Sequence, residues 1–153
     1  MRDGASAGTN FGTATILAVK NSTTGFNRRA FLKFDLSGVG SVSSARLRLF
    51  GSFGGTSGST IPVLVHSVVN TSWSETGITW NNQPAIGGAL ASVSVGTTAR
   101  YWEWDVTAYI KSQKSAGNNL VTLEVQTDTN NSAVTSFNSR EATANPPQLV
   151  IVR

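Results

Sequence analysis

The polar and apolar positions of this chain alternate with a period of two. In Arg29-Ala30-Phe31-Leu32-Lys33-Phe34-Asp35-Leu36, an extended backbone sends Ala30, Leu32, Phe34 and Leu36 to one side. Arg29, Phe31, Lys33 and Asp35 go to the other. Ala45-Arg46-Leu47-Arg48-Leu49 repeats the arrangement, with Arg46 and Arg48 opposite three apolar side chains. Further strands are predicted at Thr15–Lys20, Pro62–Val68, Ala91–Val95, Tyr101–Val106, Leu120–Gln126, Val134–Phe137 and Gln148–Val152. With Arg28–Asp35 and Ala45–Phe50 they make nine. Turn signals separate them: Asn21 to Gly25, Ser37-Gly38, Gly51 to Ser59, Gly87-Gly88, Asn130-Asn131 and Asn145-Pro146-Pro147. Nine short strands at this spacing predict an all-β fold, a β-sandwich of jelly-roll type.

Two stretches break the period. Thr107 to Lys114 reads as a short helix, with Asp105 or Thr107 as its cap and Gly117 near its end. Trp73 to Pro84 reads as an ordered crossing loop, with Trp73 and Trp80 pinning it to the sandwich. No repeat or interdomain linker is visible, so residues 1–153 are read as a single domain. The Gly/Ser-rich stretch 51–59 is read as a hairpin loop.

Composition sharpens this picture. Only 13% of the 153 residues are charged and 39% are hydrophobic, the profile of a turn-rich extracellular β domain. There is no cysteine, which excludes disulfides and thiolate metal sites. No apolar run approaches the roughly 18 residues of a spanning helix. A secreted or cell-surface location, as one module of a larger multidomain chain, is the expectation.

Twelve Lys and Arg face eight Asp and Glu, a net charge of +4. Parity sends Lys20, Arg29, Lys33, Arg46 and Arg48 away from the apolar faces of their strands. If these strands share a sheet, the cations form one rigid array with little acidic charge nearby. Such an array suits an extended polyanion, because arginine pairs bidentately with carboxylates. The competing account is that strand faces carry charge for solubility and to discourage edge pairing. Phe31 and Tyr101, on the polar parity, are candidate sugar platforms. Trp102 and Trp104, two apart with Val106, read as core.

Catalytic signals are sparse. There is no Gly-x-Ser-x-Gly and no His-Glu-x-x-His, and the eight acids single out no pair. The one histidine, His66, could join Tyr101 and Arg48 in β-elimination on a uronate polymer only if the three meet. No catalytic residue is assigned and no cofactor is required. A structural Ca²⁺ remains a candidate, with Asp3, Asn10, Asp128, Asn130 and Asn131 as loop oxygen donors, although these residues also make turns. No nucleic-acid recognition motif is present.

Four segments, in order, carry a resemblance. They are Arg28 to Leu36, Ser43 to Leu49, Trp73-Ser74-Glu75-Thr76-Gly77-Ile78-Thr79-Trp80-Asn81-Asn82-Gln83-Pro84, and Phe137-Asn138-Ser139-Arg140-Glu141. Together they resemble the DNRLRE-type domain, which is similar to carbohydrate-binding module family 96, including alginate-binding modules of alginate lyases. The resemblance implies a non-catalytic jelly-roll module. Joined to the cation pattern, it makes an acidic polysaccharide the expected partner, alginate before other uronate polymers. Lys20, Arg29, Lys33, Arg46 and Arg48 would pair with carboxylates, Arg140 would extend the track, and Phe31 or Tyr101 would supply apolar contact. The alternatives are an adhesive surface repeat without a glycan ligand and, behind it, a lyase domain.

Overall fold

The computed structural model describes residues 1–153. Its strands pair by a single rule. β1 (Ile16–Val19) lies against β8 (Thr135–Asn138), β2 (Ala30–Asp35) against β7 (Leu120–Gln126), β3 (Ser44–Phe53) against β6 (Arg100–Asp105), and β4 (Thr60–Val68) against β5 (Ala89–Gly96), all antiparallel. This nested pairing is a jelly roll. It yields a sheet of order β1-β8-β3-β6 and a facing sheet of order β2-β7-β4-β5. β9 (Gln148–Val152) joins the first half of β3, in line with β8, which pairs with its last three residues.

All nine predicted strands form. β3 is longer than expected because alternation continues through Gly51 and Ser52 to a buried Phe53. Three residues assigned to the hairpin loop are therefore strand. Gly51 is needed there, since a Cβ would collide with the Ser136 carbonyl of β8. Helix α1 (Thr107–Ser115) starts where the Asp105 carboxylate accepts from the Thr107 amide at 2.9 Å. It ends at Gly117, in the left-handed region at φ +79°, with Gly117 N–H donating to Lys114 and Asn118 N–H to Gln113.

The inward parity fills one core of 20 buried residues between the sheets. Leu47, Leu49, Trp102 and Trp104 come from one sheet, and Val63, Val65, Val121, Leu123 and Val125 from the other. Trp104 ties the layers together. Its ring meets Phe137 edge-on at 5.8 Å, and its Nε1–H donates to the Val63 carbonyl across the sandwich at 2.8 Å. Trp104→Phe would keep most of the volume and orphan that carbonyl. Urea denaturation is expected to show a loss of about 1–3 kcal/mol with an unchanged m-value. A loss below about 0.5 kcal/mol, the usual range of a neutral surface change, would show that the bond does not join the layers.

Candidate functional site

The expected single cation array is divided. Arg29, Phe31 and Lys33 belong to the β2-β7-β4-β5 sheet, whereas Arg46, Arg48 and Tyr101 belong to the other. Since side chains opposite the core parity point outward from each sheet, the two groups occupy opposite faces of the sandwich. The jelly roll causes this, because consecutive strands β2 and β3 alternate between sheets.

The outward face of the β2 sheet is roofed over β2 and β7, while Thr60, Pro62, Ser92 and Ser94 on β4 and β5 are exposed. The crossing loop lies over it, as its tryptophans suggested. Trp73 donates from Nε1 to Thr122 Oγ1 at 3.1 Å and meets Phe31 edge-on at 6.2 Å. The Lys33 ammonium sits 4.4 Å from the Trp73 ring centre and also donates to the Trp73 carbonyl. The Arg29 guanidinium stacks 4.6 Å from Trp80. Asn10 bonds the carbonyls of Glu75 and Ile78 at 2.8 and 2.7 Å, holding the loop from its far side. Arg29, Phe31 and Lys33 thus pack against the loop, and Phe31 and Lys33 also line the cleft between β1 and β2.

Under the roof lies a group that the alternation pattern did not single out. Glu124 is outward on β7, yet its side chain is 0% exposed. One oxygen lies 3.1 Å from His66 Nδ1 and the other 3.8 Å from Arg29 Nε. Burial pushes the Glu124 carboxyl up to about 8, although the Arg29 charge pulls the other way. Burial also pushes His66 below its ordinary value. A protonated Glu124 donating to neutral His66 satisfies both trends. His66 therefore has a partner of its own and is on the opposite sheet from Tyr101 and Arg48, so the trio considered for β-elimination does not assemble.

The outward face of the β1-β8-β3-β6 sheet has no such cover. Arg48 stacks on Tyr101 at 4.4 Å, and Tyr101 meets Phe50 edge-on at 5.4 Å. Glu103, opposite Arg48 on β6, pairs with Arg48 at 2.8 Å and Arg46 at 3.2 Å. The expectation of little acidic charge nearby is corrected here: the two arginines share the Glu103 carboxylate. Glu103 was legible, because the inward pair Trp102 and Trp104 places it outward. Arg48 also donates to Gln148 at 2.9 Å, which brings β9 into the cluster.

The remaining candidates are separate. Arg140, 71% exposed, pairs with Glu75 at 2.5 Å and Glu141 at 2.9 Å. It stands at the rim of a cleft of about 430 Å³ between the edges β1 and β2, lined also by Phe11, Phe34 and Trp73. Lys20 lies at the far end of β1, with its ammonium 5.6 Å from the Phe26 ring. Four of the five calcium candidates, Asn10 among them, make hydrogen bonds within the chain. Asp3 accepts from Gly25 N–H, Asn27 N–H and Asn27 Nδ2, while Asp128 accepts from Gln126, and the Asn131 side chain accepts from Ala133 N–H. No three His, Asp or Glu side chains gather at one point.

The chain belongs to carbohydrate-binding module family 96, which it matches over residues 1–153. It is also 32% identical over 142 residues to a Bacillus sp. protein named gellan lyase. That match takes in 90% of this chain but spans only 6% of the relative's length.

Glu124 makes stability depend on pH. Its native pKa lies above the unfolded value, so between about pH 4.5 and 8 the folded state binds more protons. Stability is lost as pH rises through that window. Relative to Glu124→Gln, the natural chain is expected to lose unfolding free energy steadily from pH 5 to pH 8 in urea titrations. Parallel pH profiles for the two proteins would rule out a buried neutral carboxyl.

Proposed function

We propose that this module binds an acidic polysaccharide, alginate or a related uronate polymer, on the open face of the β1-β8-β3-β6 sheet. It would do so as part of a secreted or cell-surface protein and hold an attached enzyme near its polymer. The observation that carries the reading is the cluster of Arg46, Arg48 and Tyr101 on one outward sheet face, whereas Arg29 and Lys33 are stacked under Trp80 and Trp73. Tyr101 presents an aromatic surface to sugar C–H groups, and the arginine forks offer donors to carboxylates.

The geometry suits an extended ligand. From Arg48 along β3 to Ser52, across β8 at Ser136 to Ala18, and along β1 to Lys20, the register is continuous. The path covers about 20 Å along the strands and about 10 Å across them, from strand rise and spacing. A polymer with a carboxylate on successive rings could meet cations at both ends. The gellan lyase relative adds gellan to the polymers worth testing.

The test is calorimetric titration with alginate, gellan and pectate, with cellulose as the neutral comparison. Arg46→Ala and Arg48→Ala are each expected to weaken binding by about 0.2–1 kcal/mol, and added salt to weaken it further. Tyr101→Ala should weaken it in a salt-independent way. Undiminished binding in a folded Arg46→Ala/Arg48→Ala/Tyr101→Ala protein would move the site elsewhere. Failure to bind any of the acidic polymers would favour a surface repeat without a glycan ligand.

A further inference from the structure

At the end of β1 the fold lines up three cations. Arg2 pairs with Arg28, and Arg28 with Lys20, both antiparallel. Lys20 and Arg28 exchange both backbone hydrogen bonds, at 3.0 and 2.8 Å. Arg2 and Arg28 form the closer, non-hydrogen-bonded type of pair, flanked by Asp3 N–H to Asn27 and Arg29 N–H to Met1. Directly opposed residues share a face, so the three side chains stand in a row at spacings where like charges destabilise a sheet.

No ion pair within the chain neutralises them. None of the three side chains has a carboxylate within ion-pair distance. The carboxylate nearest in the fold, Asp3, is committed to Gly25 and Asn27. The Arg28 Nε is buried with no hydrogen-bond partner. Burial, then the Arg2 charge, hold the Arg28 pKa below its ordinary value, and Asp3 offsets this only in part. Arg2 lies 4.9 Å from the Phe11 ring centre, and Phe26, beneath Lys20, is 56% exposed. Arg2, Phe11 and Arg28 line a pocket of about 450 Å³, with the hydroxyl residues Thr15 and Ser136 among its other walls. Ser136 belongs to the open face described above.

We propose that Arg2, Arg28 and Lys20 form a carboxylate-binding subsite for a uronate ring, with Phe11 and Phe26 against the ring and Thr15 and Ser136 toward its hydroxyls. The subsite rests on the acidic-polysaccharide reading and specifies where a carboxylate at one end of the chain is held. It accounts for a charge row that costs stability until an anion arrives.

The experiment titrates sodium glucuronate, with glucose as the neutral control, into ¹⁵N-labelled protein and follows the arginine Nε–Hε signals. In parallel, alginate affinity is measured for Arg2→Gln, an exposed position where folding is retained, and for Arg153→Gln, which removes the same charge elsewhere. Glucuronate, but not glucose, is expected to move the Arg28 and Arg2 signals. Arg2→Gln should lose about fivefold in alginate affinity, near 1 kcal/mol, while Arg153→Gln stays within twofold of the natural chain. If alginate binds while both variants behave alike and glucuronate leaves Arg28 unmoved, the subsite is overturned and polymer binding stands. If glucuronate moves Arg28 but alginate, gellan and pectate do not bind, the subsite stands and the polymer reading fails.

Discussion

The contact between the crossing loop and the β2 sheet decides what the rest of the surface can do. A sandwich has two outward faces, and in an antiparallel fold either can meet water. Here one is covered in part by Trp73 and Trp80, which rest on Lys33 and Arg29 at 4.4 and 4.6 Å. Cation–aromatic contacts of this kind gain strength when shielded from solvent. They let a sheet face built with polar parity accept a roof without becoming hydrophobic. The cost falls on Glu124, left in a dry layer where its charged form is disfavoured. The cover reaches β2 and β7, while Thr60 and Pro62 of β4 and Ser92 and Ser94 of β5 stay exposed on the same side.

How much of this was legible in the sequence follows from the range of each interaction. Alternation is local, so the nine strands, the inward tryptophans and the outward Arg46, Arg48 and Tyr101 were readable from short windows. Helix α1 was readable for the same reason, through Asp105 at one end and Gly117 at the other. Sheet membership is not local. It depends on pairings such as Phe31 with Glu124 and Arg48 with Glu103, 93 and 55 residues apart in sequence. Parity puts Arg29 and Arg48 outward, but it cannot say outward from which sheet. The single array failed at that step. The same limit hid Arg2 opposite Arg28, since a residue before the first strand gives no periodic signal of its partner.

The two groups of cations on the open side are handled differently. Arg46 and Arg48 are held by Glu103 and Tyr101, an arrangement that orients their forks at little cost in repulsion. Glu103 must then be shared with any arriving carboxylate, which limits the strength of each contact but keeps the arginines ordered beforehand. At the other end, Arg2, Arg28 and Lys20 have aromatic rings beneath two of them and no carboxylate paired with any. A polyanion crossing the face would exchange a carboxylate already present at one end and supply a missing one at the other.

If the proposed subsite binds an anion, that asymmetry links folding to binding. A row of like charges on adjacent strands lowers native stability, and an anion that binds only the folded row returns it by mass action. The row lies where β1 passes toward β2 through the hairpin holding Asn21 and Asn27, and its backbone hydrogen bonds are part of that corner. An anion there would relieve repulsion across the strands that set the edge of the open sheet. On the proposed reading, the corner is where binding and stability would be most directly coupled. On the roofed side Arg29 and Lys33 are instead covered by the rings of Trp80 and Trp73.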